Sequence, residues 1–447
     1  MPRDPAGAHM SPAAAARSTA GGMIRLAWEE IEALGLGRLT RGQDDGAIVA
    51  VRADSRTVGP GELFVALNTG VAYVEDASGR GAATLVPDDQ HSALASLASL
   101  VRSKSSARVV AIVGSTGKTT TKDILGALCA AAVPTVYPAE SLNNEIGLPL
   151  TVCGLERETE VLVTEMGMRG RGQIAELCAI ARPTHVLVTS IGPEHLELVG
   201  SIDEVARANA EAIDALPAGG VAVVPAGVPE LERCLTRTDI EVERFDAAGA
   251  RMDGNVAELR LDEQIVRVTV PFTQQHFAEN LLAALIAYRA LGLPLERVQE
   301  GASRIRLSRW RGEETALPGG GFVINDAYNA NPTSMGAALR DLSARAQGRR
   351  RVAVLGEMAE LGEQAAQYHR DLGEVVAGTV DVLVAVGELA RLYMQPGVAD
   401  MHWLEAPEGL ESILRPGDAV LVKASRAVGL EGVPARIAKL AEAWSAS

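Results

Sequence analysis

The segment Arg108-Val-Val-Ala-Ile-Val-Gly-Ser-Thr-Gly-Lys-Thr-Thr-Thr-Lys122 is the most informative part of this chain about its fold. Its first six residues form an apolar run typical of a buried strand, and the following stretch, Asp123–Ala132, is typical of a helix. Glycine lets the backbone approach an anion closely, and the start of a helix offers unpaired N–H groups. The segment therefore predicts a strand, a phosphate-binding loop and a helix.

The residue types in this loop suit a nucleoside triphosphate. The predicted nucleotide-binding residues of the loop are Gly114, Ser115, Thr116, Gly117, Lys118, Thr119 and Thr120. Lys118 supplies charge to the β- and γ-phosphates, and the Thr119 hydroxyl can ligate Mg²⁺. Ile112 stands where a strict Walker A motif has glycine, so the alternative is an ordinary strand–turn–helix. We favour ATP and Mg²⁺ as cofactors because the predicted strand before the loop and the predicted helix after it are the elements that flank a phosphate-binding loop.

The bulk composition limits the class of protein. The chain has 447 residues, of which 47% are hydrophobic and 22% charged, and this length suggests about three domains. The net charge of −15 argues against non-specific binding of nucleic acid, and the four cysteines form no Cys-x-x-Cys pair. No apolar run approaches the ~18 residues of a membrane span. We expect a monomer or a weak oligomer.

The first 22 residues, Met1–Gly22, are rich in Ala, Pro and Ser. They lack the continuous apolar core of a secretory signal. We expect them to form a disordered extension, and we expect the protein to be cytoplasmic.

Three regions differ in pattern. Residues 23–105 carry short strands and turns, such as Gly61–Leu67, and predict a small α/β domain. Residues 106–312 alternate apolar strands with helices, which predicts a central ATP-binding domain with a parallel sheet covered on both faces. Residues 313–447 repeat this pattern and predict a Rossmann-like domain. The predicted fold class is therefore α/β with three domains.

Two strands of the central region run into residues that can bind metal or phosphate. Val161–Thr164 leads into Glu165, and His185–Thr189 leads towards His195. Ligands of open α/β sheets bind beyond the carboxyl ends of the strands, so both side chains should lie near the phosphate loop. A carboxylate there suits Mg²⁺, and a histidine can ligate a second metal or contact a phosphate. Taken alone, they would be a solvated acid and a structural histidine.

The segment Gly192–Glu197 holds two further acids. We expect both of them, Glu194 and Glu197, to face solvent.

Three other segments carry clustered polar residues. Ser141–Leu150 indicates either substrate recognition by amides or a polar loop with an Asx turn. Asn325–Pro332 is an amide-rich turn after a strand, and such turns are common. Lys423–Arg426 places two cations after a strand, which favours either capture of a carboxylate or acyl phosphate, or a plain surface turn.

Together these segments resemble the Mur ligase family from about Met23 to the C-terminus. The motifs that carry the resemblance are Gly114-Ser-Thr-Gly-Lys-Thr-Thr-Thr-Lys122, Asn143-Asn-Glu-Ile-Gly-Leu-Pro149, Ala181-Arg-Pro183, Ile191-Gly-Pro-Glu-His-Leu-Glu197, Tyr328-Asn-Ala-Asn-Pro332, Leu355-Gly-Glu-Met-Ala-Glu-Leu-Gly362 and Lys423-Ala-Ser-Arg426. Each motif alone is modest, and their common order and spacing make the resemblance specific.

The resemblance implies an ATP-dependent ligase that activates a small-molecule carboxylate as an acyl phosphate, which a small-molecule amine then attacks. It also implies that residues 23–105 bind a UDP-type substrate and that residues 313–447 form the ligase domain. The implied catalytic residues are Lys118, His195, Lys423 and Arg426. The implied magnesium ligands are Thr119, Glu165 and His195. The implied further nucleotide contacts are His276, Asn280, Arg311 and Asp326. The substrate contacts expected on the same grounds are Ser55, Arg56, Asn143, Asn144, Glu145, Asn209, Tyr328, Asn329, Asn331 and Ser425. Closure of the third domain would exclude water from the acyl phosphate.

The chain departs from the family pattern at three places. Asn209 stands where the family usually has a carbamoylated lysine that bridges towards a second magnesium, and an amide brings no negative charge. Asn68–Ala77 is contracted and lacks an Asp-Gly-His segment, which bears on the uridine pocket. Phe277 replaces an asparagine after the adenine-side histidine, and Asn325 replaces the first acid of an Asp-Asp pair.

Three functions remain open. The Tyr328–Pro332 segment favours the branch of the family that joins D-alanyl-D-alanine to UDP-N-acetylmuramoyl-tripeptide in peptidoglycan synthesis. Asn209 and the contracted segment favour a relative that joins another amino acid or small carboxylic acid to an amine, without a UDP substrate. The intact Gly-Lys-Thr loop, Glu165 and His195 argue against a non-catalytic nucleotide-binding protein. The choice between the first two functions stays open because motifs determine chemistry better than substrate.

Overall fold

The structure is a computed structural model that describes residues 22–44 and 46–444. The predicted N-terminal extension, residues 1–22, lies outside these residues except for Gly22. Within the described ranges, every helix is too short or too polar to cross a membrane.

The N-terminal region is a four-stranded sheet with helices, in the strand order β1-β4-β3-β2. Its strands are β1 Gly37–Thr40, β2 Ala50–Arg52, β3 Glu62–Val65 and β4 Ala83–Pro87. Its helices are α1 Trp28–Glu32, α2 Val74–Gly79 and α3 Gln90–Ser103. The apolar face of α3, with Leu94, Leu97 and Val101, belongs to the same hydrophobic core as one face of the central region.

The central region is built on six parallel strands in the order β10-β9-β8-β5-β7-β6. These strands are β5 Arg108–Val113, β6 Thr135–Val136, β7 Val161–Glu165, β8 His185–Val188, β9 Val221–Pro225 and β10 Glu241–Phe245. The helices are α4 Lys118–Ala132, α5 Gly147–Cys153, α6 Gln173–Ala181, α7 Leu196–Val199, α8 Ile202–Asp214, α9 Pro229–Glu232, α10 Gln275–Ala290 and α11 Val298–Ser303.

Both faces of this sheet are buried, which explains the unbroken apolar run in β5. Successive side chains of a strand point to opposite faces. Val109 and Val113 pack into the core shared with α5, α6 and α8, whereas Val110 and Ile112 pack against α4 and α10. The predicted parallel sheet with covered faces is confirmed.

A second sheet in the central region was not predicted from the sequence. Its antiparallel strands are β11 Ala250–Asp253, β12 Val256–Leu261 and β13 Gln264–Thr269. One face packs on α10 through Ala257, Leu259 and Val268. The two-residue turn Gly254-Asn255, with Gly254 at φ +57°, joins the paired residues Asp253 and Val256 and could have revealed this hairpin.

The C-terminal region has a six-stranded sheet in the order β14-β15-β19-β16-β17-β18, parallel except at β14. The strands are β14 Glu313–Ala316, β15 Phe322–Asn325, β16 Arg351–Gly356, β17 Val382–Val386, β18 Asp400–Leu404 and β19 Ala419–Lys423. Helices α12 Pro332–Arg345 and α13 Ala365–Thr379 cover one face, and α14 Val433–Trp444 covers the other. The α/β fold class with three domains is confirmed. The predicted boundaries stay predictions.

A buried ion pair fastens the segment between the central and C-terminal sheets to α4. Lys122 is fully buried, and its Nζ contacts the Asp123 carboxylate and donates to the Pro138 carbonyl at 2.6 Å. Asp123 also accepts from the N–H and hydroxyl of Ser308, at 2.7 and 2.8 Å. The helix that begins at the phosphate loop therefore holds the connection to the C-terminal region.

Asp123→Ala should lower the free energy of unfolding by about 3–5 kcal/mol, because it leaves a buried ammonium group without a counter-charge. The exposed pair Arg267–Glu258, 2.7 Å apart, provides the control. Glu258→Ala should cost less than about 1 kcal/mol. Urea denaturation measures both variants, and equal losses would contradict the proposed role of the buried pair.

Candidate active site

A cavity of about 620 Å³ lies at the carboxyl ends of the central strands, between the central and C-terminal regions. Most of the predicted site residues line it. They are Ser115, Thr116, Gly117, Lys118, Thr119, Thr120, Asn143, Asn144, Glu145, Glu165, His195, His276, Asn280, Arg311, Asp326, Tyr328, Asn329, Asn331 and Lys423. The structure thus gathers residues from distant segments at one site, and their roles remain predictions.

Two glycines give the phosphate loop its shape. Gly114 has φ +122° and Gly117 has φ +89°, both in the region that disfavours other residues. A Cβ atom on Gly114 would lie 2.3 Å from Thr189 Oγ1, and one on Gly117 would lie 2.6 Å from Asn280 Oδ1. Any other residue at either position would strain the backbone. At Gly114 it would also clash with the Ser190 backbone, 2.9 Å away, whereas at Gly117 the Asn280 amide would have to move.

The first N–H groups of the loop are bound to the protein itself. Gly114 N–H donates to Asn209 Oδ1 at 2.7 Å, Ser115 N–H to the Ser190 carbonyl at 2.9 Å, and Thr116 N–H to Ser190 Oγ at 2.9 Å. Helix α4 begins at Lys118, and the first N–H groups of a helix have no intrahelical partners. These later N–H groups are the ones the loop can offer to a phosphate.

Asn209 does not line the cavity, although it was predicted to contact substrate or metal. The residue is 2% exposed, and its Nδ2 donates to the Val205 carbonyl at 2.8 Å while its Oδ1 accepts from Gly114. Both halves of the amide are therefore used inside the protein. The structure places Asn209 behind the phosphate loop, where it holds the loop backbone.

Lys118 is paired with an acid that we expected to face solvent. Its Nζ lies 3.0 Å from Glu194 Oε1, and Glu194 is only 7% exposed. The expectation for Glu194 was wrong because the strand-end turn folds back over the loop and buries this carboxylate. Glu197 is exposed, as expected.

Glu165 lies buried beside the loop among groups that donate to it. Its Oε2 accepts from the Thr119 hydroxyl at 2.8 Å, and its Oε1 accepts from Ser141 Oγ at 2.9 Å and Asn143 Nδ2 at 2.8 Å. A carboxylate and a hydroxyl are the oxygen ligands that Mg²⁺ prefers.

The described residues contain no cluster of three or more His, Cys, Asp or Glu side chains that could hold a metal. A nucleotide site does not need one, because waters and phosphate oxygens complete the shell of Mg²⁺. The donor set of Glu165 and Thr119 therefore fits Mg²⁺ bound together with a nucleotide.

His195 reaches the cavity from the turn after β8, with its backbone at φ +51°. Its Nε2 lies 3.6 Å from Glu194 Oε1, and its Nδ1 contacts the Glu360 carboxylate of the C-terminal region. The pKa of Glu360 is lowered by this contact with His195. His195 therefore connects the phosphate loop with the C-terminal region.

The two asparagines after Ser141 have different roles. Asn143 orients Glu165, whereas Asn144 Oδ1 accepts from the N–H groups of Ile146 at 3.3 Å and Gly147 at 2.9 Å. Asn144 thus forms the Asx turn that was the alternative to substrate recognition.

His276 and Asn280 lie together at the start of α10. Burial lowers the pKa of His276 to about 4, so its ring is neutral at pH 7. Asn280 packs over Gly117. The structure brings both residues beside the phosphate loop, and their contact with adenine stays a prediction.

The C-terminal region contributes the buried cation Lys423 and the aromatic ring of Tyr328, on which Arg311 of the linker stacks. Lys423 is 2% exposed, and its Nζ lies 2.6 Å from Asp326 Oδ2 and donates to the Asn329 carbonyl at 3.0 Å. The Arg311 guanidinium lies 4.0 Å from the Tyr328 ring centroid. The C-terminal region therefore brings the ion pair of Lys423 and Asp326 to the cavity.

One side-chain hydrogen bond joins the two regions directly at the loop. Asn331 Nδ2 donates to Thr116 Oγ1 at 2.9 Å. The structure therefore has the C-terminal region docked on the phosphate loop.

Besides Asn209, five predicted site residues do not line the cavity: Gly114, whose N–H is bound by Asn209, and Ser55, Arg56, Ser425 and Arg426. The hydroxyl of Ser425 accepts from the Ala359 N–H at 2.9 Å, and Arg426 stacks on Trp310 with 4.1 Å to the ring centroid. These two side chains are used within the C-terminal region and the linker. Ser55 and Arg56 belong to the N-terminal region, where Arg56 pairs with Asp54 at 2.7 Å.

Several cavity residues were missed in the sequence. They include Ser141, Arg169, Gln173, Thr189, Ser190, Phe245, Asp246, Thr333 and Ser334. Phe245 ends β10, a strand that was not predicted from the sequence, so Phe245 and Asp246 carried no strand-end signal. Ser190 directly follows the predicted strand His185–Thr189, so its strand-end position could have found it.

Comparison with known families agrees with this geometry. The Mur ligase middle domain matches residues 112–288, and the Mur ligase glutamate ligase domain matches residues 310–426. The UDP-N-acetylmuramoyl-tripeptide–D-alanyl-D-alanine ligase of Mycobacterium tuberculosis H37Rv is 34% identical over 86% of this chain and 91% of its own length. The enzyme of the same name from Escherichia coli K12 is 30% identical over 87% of this chain and 93% of its own length.

Solved structures are similar over nearly the whole chain. A crystal structure of MurF from Acinetobacter baumannii has a TM-score of 0.81 and 26% identity, covering 94% of this chain and 100% of its own. MurF from Thermotoga maritima in complex with ADP has a TM-score of 0.75 and 25% identity, covering 88% of this chain and 98% of its own.

The position of Asn209 leads to a testable expectation. Asn209→Leu removes both the acceptor for Gly114 and the donor to Val205. The loop then loses a fixed point, and binding of a non-hydrolysable ATP analogue should weaken by about tenfold, the equivalent of about one hydrogen bond. Isothermal titration calorimetry measures this affinity.

Asn325→Leu is the matched control. Asn325 is also buried and bonded to two backbone groups, Glu431 at 3.1 Å and Ala327 at 3.3 Å, but it does not line the cavity. Its loss should leave the analogue affinity within about twofold. Equal weakening in both variants would trace the effect to general destabilisation instead.

Proposed function

This chain belongs to the Mur ligase family, and on that premise we propose that it joins D-alanyl-D-alanine to UDP-N-acetylmuramoyl-tripeptide in peptidoglycan synthesis, converting ATP to ADP and phosphate. The 34% identity with the M. tuberculosis ligase over 86% of the chain supports this substrate pair. The observation that carries the chemistry is the single cavity in which the phosphate loop, Glu165 and the C-terminal Lys423 meet.

The nucleotide would bind with its phosphates on the later N–H groups of the loop. Lys118 would meet the β- and γ-phosphates, and these would compete with Glu194 for its ammonium group. Glu165 and Thr119 would hold Mg²⁺, which neutralises phosphate charge when bound. The neutral ring of His276 suits a site for an uncharged base.

In the first step, an oxygen of the substrate carboxylate attacks the γ-phosphorus, and ADP leaves. The product is an acyl phosphate whose bridging oxygen comes from the acid. Lys118 stabilises the charge that develops on the transferred group, because a fixed cation in a water-poor cavity needs no reorganisation.

In the second step, the amine attacks the acyl carbon through a tetrahedral intermediate, and phosphate leaves with the bridging oxygen. A proton is lost from the nitrogen as the amide forms. The docked C-terminal region would keep water away from the acyl phosphate, since hydrolysis would waste it. The bond from Asn331 to Thr116 supports this closed arrangement.

One observation favours the alternative of another acid–amine pair. In the N-terminal region, residues Asn68–Tyr73 form a 3-10 helix that continues into α2. Val71 and Tyr73 on it are 51% and 55% exposed. This is the contracted segment, and its apolar surface is an unusual lining for a uridine pocket. Ser55 and Arg56 nearby remain the candidates for substrate contact.

The domain boundaries would fall at 105/106 and 312/313, and the described sheets each lie within these bounds. The protein would act in the cytoplasm, and it would be a monomer or a weak oligomer.

The test is phosphate release from ATP with UDP-N-acetylmuramoyl-tripeptide and D-alanyl-D-alanine, each alone and together. We expect turnover with the complete set, and ¹⁸O from the acid should appear in the released phosphate. Lys118→Met should reduce turnover by about 10²–10³-fold, because one charge-stabilising group is lost from the transition state. Glu197→Gln, at an exposed acid beside the site, should change turnover less than about twofold.

The outcomes separate the alternatives. Turnover with a different acid–amine pair, and none with the UDP-tripeptide, would support the divergent relative. Turnover with no pair would support a nucleotide-binding protein. Released phosphate without the acid's oxygen, in a reaction that forms product, would refute the acyl-phosphate route.

A further inference from the structure

A turn of the C-terminal region lies directly on the His195 turn of the central region. The turn follows β16 and contains Glu360, whose carboxylate contacts His195 Nδ1. The Glu360 carbonyl also accepts from the Glu197 N–H at 3.2 Å. The same residue therefore touches this turn of the central region through both its side chain and its backbone.

The backbone on both sides of this contact adopts unusual conformations. His195 has φ +51° and Glu360 has φ +61°, in the left-handed region that non-glycine residues rarely occupy. Gly362 follows at φ +61°, and a Cβ atom there would lie 3.0 Å from Glu197 Cα. The two turns therefore fit closely, and packing holds them in conformations that cost free energy.

Apolar packing supports the contact independently. Tyr368, on α13 just after this turn, packs against the core of the central region as well as against the core of its own region. The turn therefore docks through apolar packing as well as through the contact between Glu360 and His195.

The contact continues as a row of polar side chains that ends at the phosphate loop. Lys118 Nζ lies 3.0 Å from Glu194, Glu194 lies 3.6 Å from His195 Nε2, and His195 Nδ1 contacts Glu360. The first three groups belong to the central region and line the cavity. Glu360 comes from the other region, and it does not line the cavity itself.

We propose that Glu360 is a positioning residue: when the C-terminal region docks, its carboxylate orients the His195 ring and holds the adjoining turn, so that the site is complete only in the docked state. A carboxylate on one ring nitrogen directs the other nitrogen. The inference deepens the proposed function and rests on it for the effect on turnover.

The first test needs no substrate. Glu360→Gln keeps the side-chain shape but removes its charge. Hydrogen exchange of backbone amides in residues 194–200 should become faster in this variant, because the turn loses a fixed point. Glu363→Gln, at an exposed acid of the same turn, is the matched control and should leave the exchange unchanged. Unchanged exchange in Glu360→Gln would overturn the proposal, whatever the substrates are.

The second test measures turnover in a double-mutant cycle. Glu360→Gln should lower kcat by about 10-fold with little change in the KM for ATP, a loss typical of groups that orient a site residue. If Glu360 acts through His195, it should have no further effect in a His195→Gln background. The proposal would be overturned if the losses of kcat in the two single variants were additive in the double variant. It would also be overturned if Glu360→Gln raised the KM for ATP about 10-fold and left kcat unchanged.

The two tests separate this proposal from the proposed function. If the unaltered protein does not turn over the UDP-tripeptide pair, the function fails, while the exchange experiment still decides the role of Glu360. If the unaltered protein turns over the UDP-tripeptide pair, but Glu360→Gln changes neither the amide exchange nor kcat, only the positioning role fails.

Discussion

The phosphate loop depends on the polypeptide behind it. Gly114 and Gly117 take left-handed conformations, and the first N–H groups of the loop are bound by Asn209 and Ser190. A loop so constrained keeps its remaining N–H groups in place before any ligand arrives. Preorganisation of this kind is what makes electrostatic stabilisation effective, because nothing has to reorient during the reaction.

The charges around the cavity are buried but paired. Lys118 faces Glu194, and Lys423 faces Asp326. An unpaired charge at such depth would cost several kcal/mol. A substrate that brings its own negative charge can take over one partner of such a pair. The pairing therefore stabilises the protein without ligand and still leaves cations available to a phosphate or a carboxylate.

Two departures from the family pattern lie in different regions of the structure. Asn209 is satisfied inside the central region, so the change there concerns the support of the loop. The contracted segment around Val71 and Tyr73 alters an exposed surface of the N-terminal region, far along the chain from the loop. The two departures therefore lie in different regions of the protein and affect different elements of its structure.

The sequence by itself determined the parallel sheets, the phosphate loop and Glu165, because apolar periodicity and strand-end position are local properties of the chain. Only the tertiary structure decided that Glu194 is buried on Lys118, that Asn209 supports the loop and that Arg426 stacks on Trp310. Each of these contacts joins residues distant in sequence, and a polar side chain carries no local sign of which distant partner will bury it.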